Sequence, residues 1–217
     1  MMSPVEICNL ALSYLGDVAN VQDISPPDKS AQAEHCARYY PIARDGLLEM
    51  HQWGFATKRA TLAPLANAPR MTWRFAYMQP QDALNIIAIL PNDVTDDYTE
   101  SIIHKHHGFH GARYVPQSFA CEMVNGCECV LTDQENAVCR YTARIEDAAK
   151  FSPLFTITLA YHLASMLAGS LLKGDTGAKM AQAMGQAMQT YLTQAIDSDM
   201  GQRQIKPTHS VPWIAGR

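Results

Sequence analysis

The hydrophobic positions along the chain change period twice. In residues 4–15, Val5, Cys8, Leu12 and Leu15 recur at threes and fours, which marks one apolar helical face, and Gly16 follows as a stop. Ser3, Pro4 and Glu6 stand at the N-cap, first and third helical positions. They form a capping box whose proline lies where its missing N–H costs nothing. A loop holding Ser25-Pro26-Pro27-Asp28 leads to a second helical stretch. There Ala33, Cys36, Tyr40, Ala43, Leu47 and Met50 make the apolar face, with Arg38, Arg44, Asp45 and Glu49 expected largely opposite. Pro41 falls inside this pattern. It removes one backbone donor and crowds the preceding turn, so a kinked helix or two abutting helices are predicted.

From about residue 56 the period becomes that of strands. ATKRATLA, TWRFAYMQ and LNIIAIL are short runs with β-branched and aromatic residues, separated by Pro64, Pro69, Pro80 and Pro91. Residues 98–104 predict another strand. FACEMV-NG-CECVLT reads as a hairpin, because Asn125-Gly126 suits the two positive-φ positions of a tight turn. Residues 137–145 predict a third antiparallel strand. Helical spacing returns at Ser152-Pro153 and runs to about residue 172. It breaks at Lys173-Gly174-Asp175 and resumes over about 176–197, with Met180, Met184, Ala187, Met188, Tyr191 and Ala195 on one face. So short a break predicts an antiparallel helical hairpin. The expected class is α+β: an α-helical bundle of N-terminal helices plus the C-terminal hairpin, with a central antiparallel β region. Residues 1–55 and 147–200 would form the bundle, 56–146 the β-rich domain and 201–217 an extended C-terminal tail.

Residues 154–172 carry no formal charge and approach the length of a membrane span. Thr156, Thr158, His162, Ser165 and Ser170, and the lack of a one-sided basic flank, argue instead for a packing helix. Ala160, Ala164 and Ala168 recur every four residues and would let another helix approach closely. A buried or subunit-interface helix is expected here, and no membrane partner.

Composition narrows the functional classes. At 217 residues and 47% hydrophobic, the chain can bury a real core as one or two small domains. A net charge of -4 argues against a free-standing DNA reader, which needs a basic patch to neutralise phosphates. It does not oppose a wall past which DNA slides. Six irregularly spaced cysteines do not make a secreted disulfide framework, and no basic, apolar leader is present, so no signal peptide is expected.

Candidate chemistry is sparse. His104, His106, His107 and His110 lie close together, with Cys121, Cys127, Cys129 and Cys139 beyond them, yet the spacings match no standard zinc site. The plainer reading is a histidine-rich surface loop beside core cysteines, with no metal or other cofactor. Asp93, Asp96, Asp97 and Glu100 could mimic an acid and base, but they follow the turn-forming Pro91-Asn92, where solvated carboxylates are ordinary. No glycine-rich phosphate loop is present. No catalytic residue is assigned. The alternative from another class is a metal- or thiol-dependent enzyme using the His104-to-His110 and Cys121-to-Cys139 region. Lys58-Arg59 with Arg70 and Arg74, interleaved with Trp73, Phe75 and Tyr77, fits a half-buried strand, a contact with a neighbouring copy, or DNA.

One stretch carries a resemblance. Tyr39-Tyr40, Ala43-Arg44-Asp45, His51-Gln52-Trp53-Gly54-Phe55-Ala56 and Lys58-Arg59, in that order before a short apolar strand, resemble the signature of bacteriophage head-to-tail adaptor proteins of the tail tubular protein A type. Gln52 stands where that family usually has proline, and Gly54 where it usually has asparagine. Ile7 to Leu12, ending at Leu15-Gly16, is similar to the family's first helix. The resemblance implies a structural virion protein of the tail or neck, present in the host cytoplasm during assembly. It would form a dodecameric ring with itself, binding the portal protein and the tail nozzle or a tail tubular B-like protein. Double-stranded DNA would pass through without sequence-specific binding. Subunit contacts would then be expected at Arg44, Asp45, Lys58, Arg59, Ala160, Ala164 and Ala168. Pro212, Trp213 and Ile214, isolated in a polar tail, would anchor on the portal.

Overall fold

The structure, a computed structural model, describes residues 2–66, 69, 72–92 and 117–202. The chain is α+β, with four helices at the two ends of the sequence and antiparallel pairing in the centre. Its contacts divide it into two compact units. One is helical, running up to Ala56 and then over Ala143–Gln202; the other is the β unit, Thr57–Thr142.

In the helical unit, α1 (Pro4–Tyr14) starts on the capping box. Glu6 N–H donates to Ser3 Oγ at 3.2 Å, and Ser3 N–H donates to the Glu6 carboxylate at 2.6 Å. Asn9 holds the following loop with both ends of its amide: Nδ2 donates to the Val21 carbonyl (2.9 Å), and Oδ1 accepts from Val21 N–H (3.0 Å). The second helix, α2 (Ala31–Glu49), is capped by Ser30, whose Oγ accepts from Ala33 N–H at 3.1 Å. It runs through Pro41 as one helix, so the chain does not break into two. Pro41 is on the exposed side, where water can serve the carbonyl it leaves unbonded. Ala33, Cys36, Tyr40, Ala43 and Leu47 are buried as their spacing predicts. Two positions depart from expectation. Met50 is exposed, because the helix ends before it. Arg44 is only 8% exposed, turned in with Ala43, Leu47 and Leu48 rather than out with Arg38.

The third helix, α3 (Pro153–Leu172), is the centre of this unit. Ser152 caps it, accepting from Phe155 N–H at 3.3 Å. It packs against α1, α2 and α4 (Gly174–Met200), and Phe155, Leu159, Leu163 and Leu167 are fully buried. Its length and mean hydropathy of 1.4 would suit a membrane span, but 50% of that apolar window is already buried against the protein's own helices. The long α4, of order 40 Å at 1.5 Å per residue, lays Met180, Met184, Ala187, Met188 and Tyr191 half-buried along its inner face. Close approach is set at Gly177, where a Cβ would meet the Ala168 carbonyl oxygen at 3.0 Å. Tyr14, Tyr161 and Tyr191 stack as a column across α1, α3 and α4, with ring centroids 4.3 and 5.1 Å apart.

The β unit holds β1 (Thr57–Thr61), β2 (Ala63–Pro64), β3 (Phe75–Met78), β4 (Ala83–Leu90), β5 (Phe119–Val124), β6 (Cys127–Thr132) and β7 (Val138–Ala143). They form one sheet ordered β1-β7-β4 and another ordered β2-β3-β6-β5. The hairpin turn has φ of 51° at Asn125 and 78° at Gly126, as the dipeptide predicts. β7 is antiparallel as expected, but it pairs with β1 and lies beside β4 instead of extending the hairpin. Ala76, Val124, Cys129 and Leu131 form a core over which Leu65, Trp73 and Ala120 fold. The strand predicted at 98–104 lies outside the described residues.

Candidate functional site

The residues that carry the adaptor resemblance lie along α2 and the turn after it, except Lys58 and Arg59, which are on β1 of the β unit. After α2 the chain turns through His51 and enters a short 3-10 turn, Gly54–Ala56. Trp53 is 1% exposed and its indole N–H donates to the Leu47 carbonyl at 3.0 Å, which satisfies its one polar atom while the ring fills the core. The ring meets His51 and Phe155 edge-on, at 4.9 and 5.0 Å between centroids, and Phe55 and Phe151 close the cluster around Phe155.

Asp199, near the end of α4, clamps this corner. It is 8% exposed; its Oδ1 accepts from Gly54 N–H at 2.9 Å, and its Oδ2 lies 3.2 Å from His51 Nε2. A Cβ at Gly54 would stand 3.1 Å from Asp199 Oδ1, so the carboxylate occupies the space that a side chain there would need. Nothing local to Asp199 announces this role. Its partners lie 145 and 148 residues away in sequence.

A second constellation lies on the same helix. Arg44 Nε donates to Asp45 Oδ1 at 2.8 Å, and Arg144 Nε donates to Asp45 Oδ2 at 2.8 Å. One carboxylate thus sits between two guanidinium groups. The Arg44 side chain is 9% exposed and that of Arg144 is 43% exposed. One turn before Arg44 the buried Tyr40 hydroxyl has no hydrogen-bond partner among the described residues, and burial pushes its pKa up to about 12.

The remaining predicted site residues are dispersed. Ala160, Ala164 and Ala168 are fully buried inside the helical unit, so their expected place at a subunit interface is corrected: the chain's own helices already cover that stripe. Lys58 Nζ pairs with Asp82 Oδ2 at 2.7 Å, and Asp82 Oδ1 accepts from the Tyr141 hydroxyl at 2.9 Å. Burial opposes ionisation of Asp82, but these two donors outweigh it and hold its carboxyl below the usual range. Arg59 is exposed on β1 opposite Arg140 of β7, and the Arg74 guanidinium lies 5.6 Å from the Phe75 ring centre. Arg70, Pro212, Trp213 and Ile214 lie outside the described residues, as do His104, His106, His107, His110 and the acidic run from Asp93 to Glu100.

All six cysteines are free thiols. In the hairpin register Cys121 faces Val130 while Cys129 faces Glu122, so Cys121 lies on the opposite sheet face from Cys127 and Cys129. Cys139 is fully buried, and burial pushes its thiol up to about 12, away from the reactive thiolate. Among the described residues no three His, Cys, Asp or Glu side chains gather as a ligand set. An open groove of about 480 Å³ in the β unit is lined by Thr61, Leu62, Met78, Gln79, Cys127 and Glu128 among others, and none of its lining residues is a cation or a histidine. The contacts described above are packing, clamps and ion pairs. The chain matches no protein-family model and no curated protein sequence.

Proposed function

We propose that this protein is a structural virion component, the subunit of a head-to-tail adaptor ring between portal and tail nozzle, and not an enzyme. The observation that carries the reading is that the resembling residues of α2 and the turn after it are held by packing, ion pairs and a clamp. Tyr40, Ala43, Arg44 and Trp53 are buried there, Asp45 bridges two arginines, and His51 and Gly54 are held by Asp199. Of the resembling residues, His51 and Gly54 tie the turn after α2 to the end of α4, and Asp45 ties α2 to Arg144.

The mechanism is interfacial. The helical units stand side by side around the ring, and the β units supply the surface for the tail nozzle. Double-stranded DNA passes along a wall whose net charge of -4 per chain discourages adhesion. The polar tail, with Pro212, Trp213 and Ile214, orders on the portal, Trp213 filling a groove as an aromatic anchor. Chain truncated after Gln202 is expected to keep its helical circular dichroism and lose co-sedimentation with portal rings of the same phage. Undiminished portal binding by the truncated chain would refute the anchor.

A further inference from the structure

We propose that the outer edges of Arg44 and Arg144 form a receptor for a carboxylate, filled by an acidic side chain of a second copy of this chain. The inference rests on the adaptor-ring reading for its occupant, and on the side-chain geometry for its chemistry. Asp45 is engaged at both oxygens, and in each case by the Nε atom alone, at 2.8 Å. Among the described residues neither guanidinium has a hydrogen bond at its two terminal amino groups. Such a group is a planar fork whose parallel N–H bonds match a carboxylate, and it is less strongly hydrated than an ammonium.

Burial makes the arrangement more than a surface ion pair. Arg44 is 8% exposed, and a charge taken that far out of water is usually paired and hydrogen-bonded. Two guanidinium groups against one carboxylate leave a formal surplus of one positive charge, on a chain whose overall charge is -4. A second copy is thus rich in the complementary group, with 21 Asp and Glu against 17 Lys and Arg. A DNA phosphate has the right sign too, but one surplus charge on an acidic chain is a poor footprint for a polyanion. Arg144, 43% exposed, is the arm that reaches the neighbour, while Arg44 and Asp45 hold it in place.

The test uses the full-length chain carrying Arg144→Lys, mixed with an isotope-labelled copy at concentrations where it self-associates, and treated with a carbodiimide. Such a reagent couples an amine to a carboxylate by forming an amide, with loss of one water and consumption of the reagent. The expected product is a cross-link from position 144 to an Asp or Glu of the differently labelled copy, identified by mass spectrometry. Arg144→Gln, which leaves the Arg44–Asp45 pair intact, should raise the concentration needed for self-association about tenfold, or about 1.4 kcal/mol. Cross-links only within one chain, together with unchanged self-association of Arg144→Gln, would overturn the proposal. Retention on immobilised duplex DNA that Arg144→Gln abolishes, without an intermolecular cross-link, would overturn it in favour of phosphate. Rings on the portal without the cross-link would sink this inference alone. The cross-link without portal rings would sink the adaptor reading alone.

Discussion

Asp199→Ala removes the clamp at the end of α4. The native carboxylate accepts the Gly54 N–H at 2.9 Å and faces His51 Nε2 at 3.2 Å while 8% exposed. A hydrogen bond to a charged group is worth about 1.5–3 kcal/mol net. The imidazole contact is longer and adds less, so a loss of about 2–3 kcal/mol is expected for the helical unit. Asp199→Asn keeps one acceptor for Gly54 N–H and should lose about half as much. The assay is urea unfolding followed by tryptophan fluorescence in a Trp73→Phe, Trp213→Phe background, so that the buried Trp53 reports the helical unit. Gly54→Ala adds an internal check. Its new Cβ would crowd Asp199 Oδ1 at 3.1 Å, so it should cost about 0.5–1 kcal/mol alone and less when combined with Asp199→Ala. A loss below about 0.5 kcal/mol for Asp199→Ala, with strict additivity in the double variant, would refute the clamp.

Three further outcomes are expected. Ala164→Leu inserts extra methylenes at a site with no exposure and should destabilise the helical unit by about 1–3 kcal/mol; full stability with altered self-association would restore that stripe to an interface. Tyr40→Phe removes a buried hydroxyl that has no partner among the described residues, so denaturant unfolding should show a change within about 1 kcal/mol of zero or a gain, and a loss beyond about 2 kcal/mol would show that the hydroxyl is bonded. His162 is half-buried, its Nδ1 is buried without a hydrogen-bond partner among the described residues, and this burial lowers its pKa below that of the unfolded chain. The unfolded state then binds the proton more readily, so this contribution is complete above the unfolded value of about 6.5 and is lost as pH falls through the folded value. Thermal unfolding between pH 7 and 5 should therefore depend less on pH in His162→Leu than in the native chain; an identical slope would remove His162 as the cause.

What the sequence made legible was local. Ser3 with Glu6, Ser152 with Pro153, and Asn125 with Gly126 act through neighbours three or fewer residues away, so the helix starts and the hairpin turn follow from spacing alone. The apolar face of α2 was legible for the same reason, since Ala33 to Leu47 need only the helical period. The clamp and the arginine pair were not. Asp199 sits on a helix where an acidic residue is ordinarily solvated, and its partners are set by tertiary packing. Arg44 reads as a surface residue because burying a guanidinium is costly, and what offsets the cost is Asp45 held from the other side by Arg144, 99 residues away. The pairing of β7 with β1 instead of the hairpin is likewise non-local. A strand's period fixes which face is buried and leaves its neighbour open.

The adaptor reading is tested most directly by negative-stain microscopy of the purified chain mixed with portal rings from the same phage, with each component imaged alone beside it. A new ring of density on one end of the portal, with rotational symmetry matching it, is the expected result. Portal rings that stay bare across a range of salt, while the added protein remains folded by circular dichroism, would contradict the assignment.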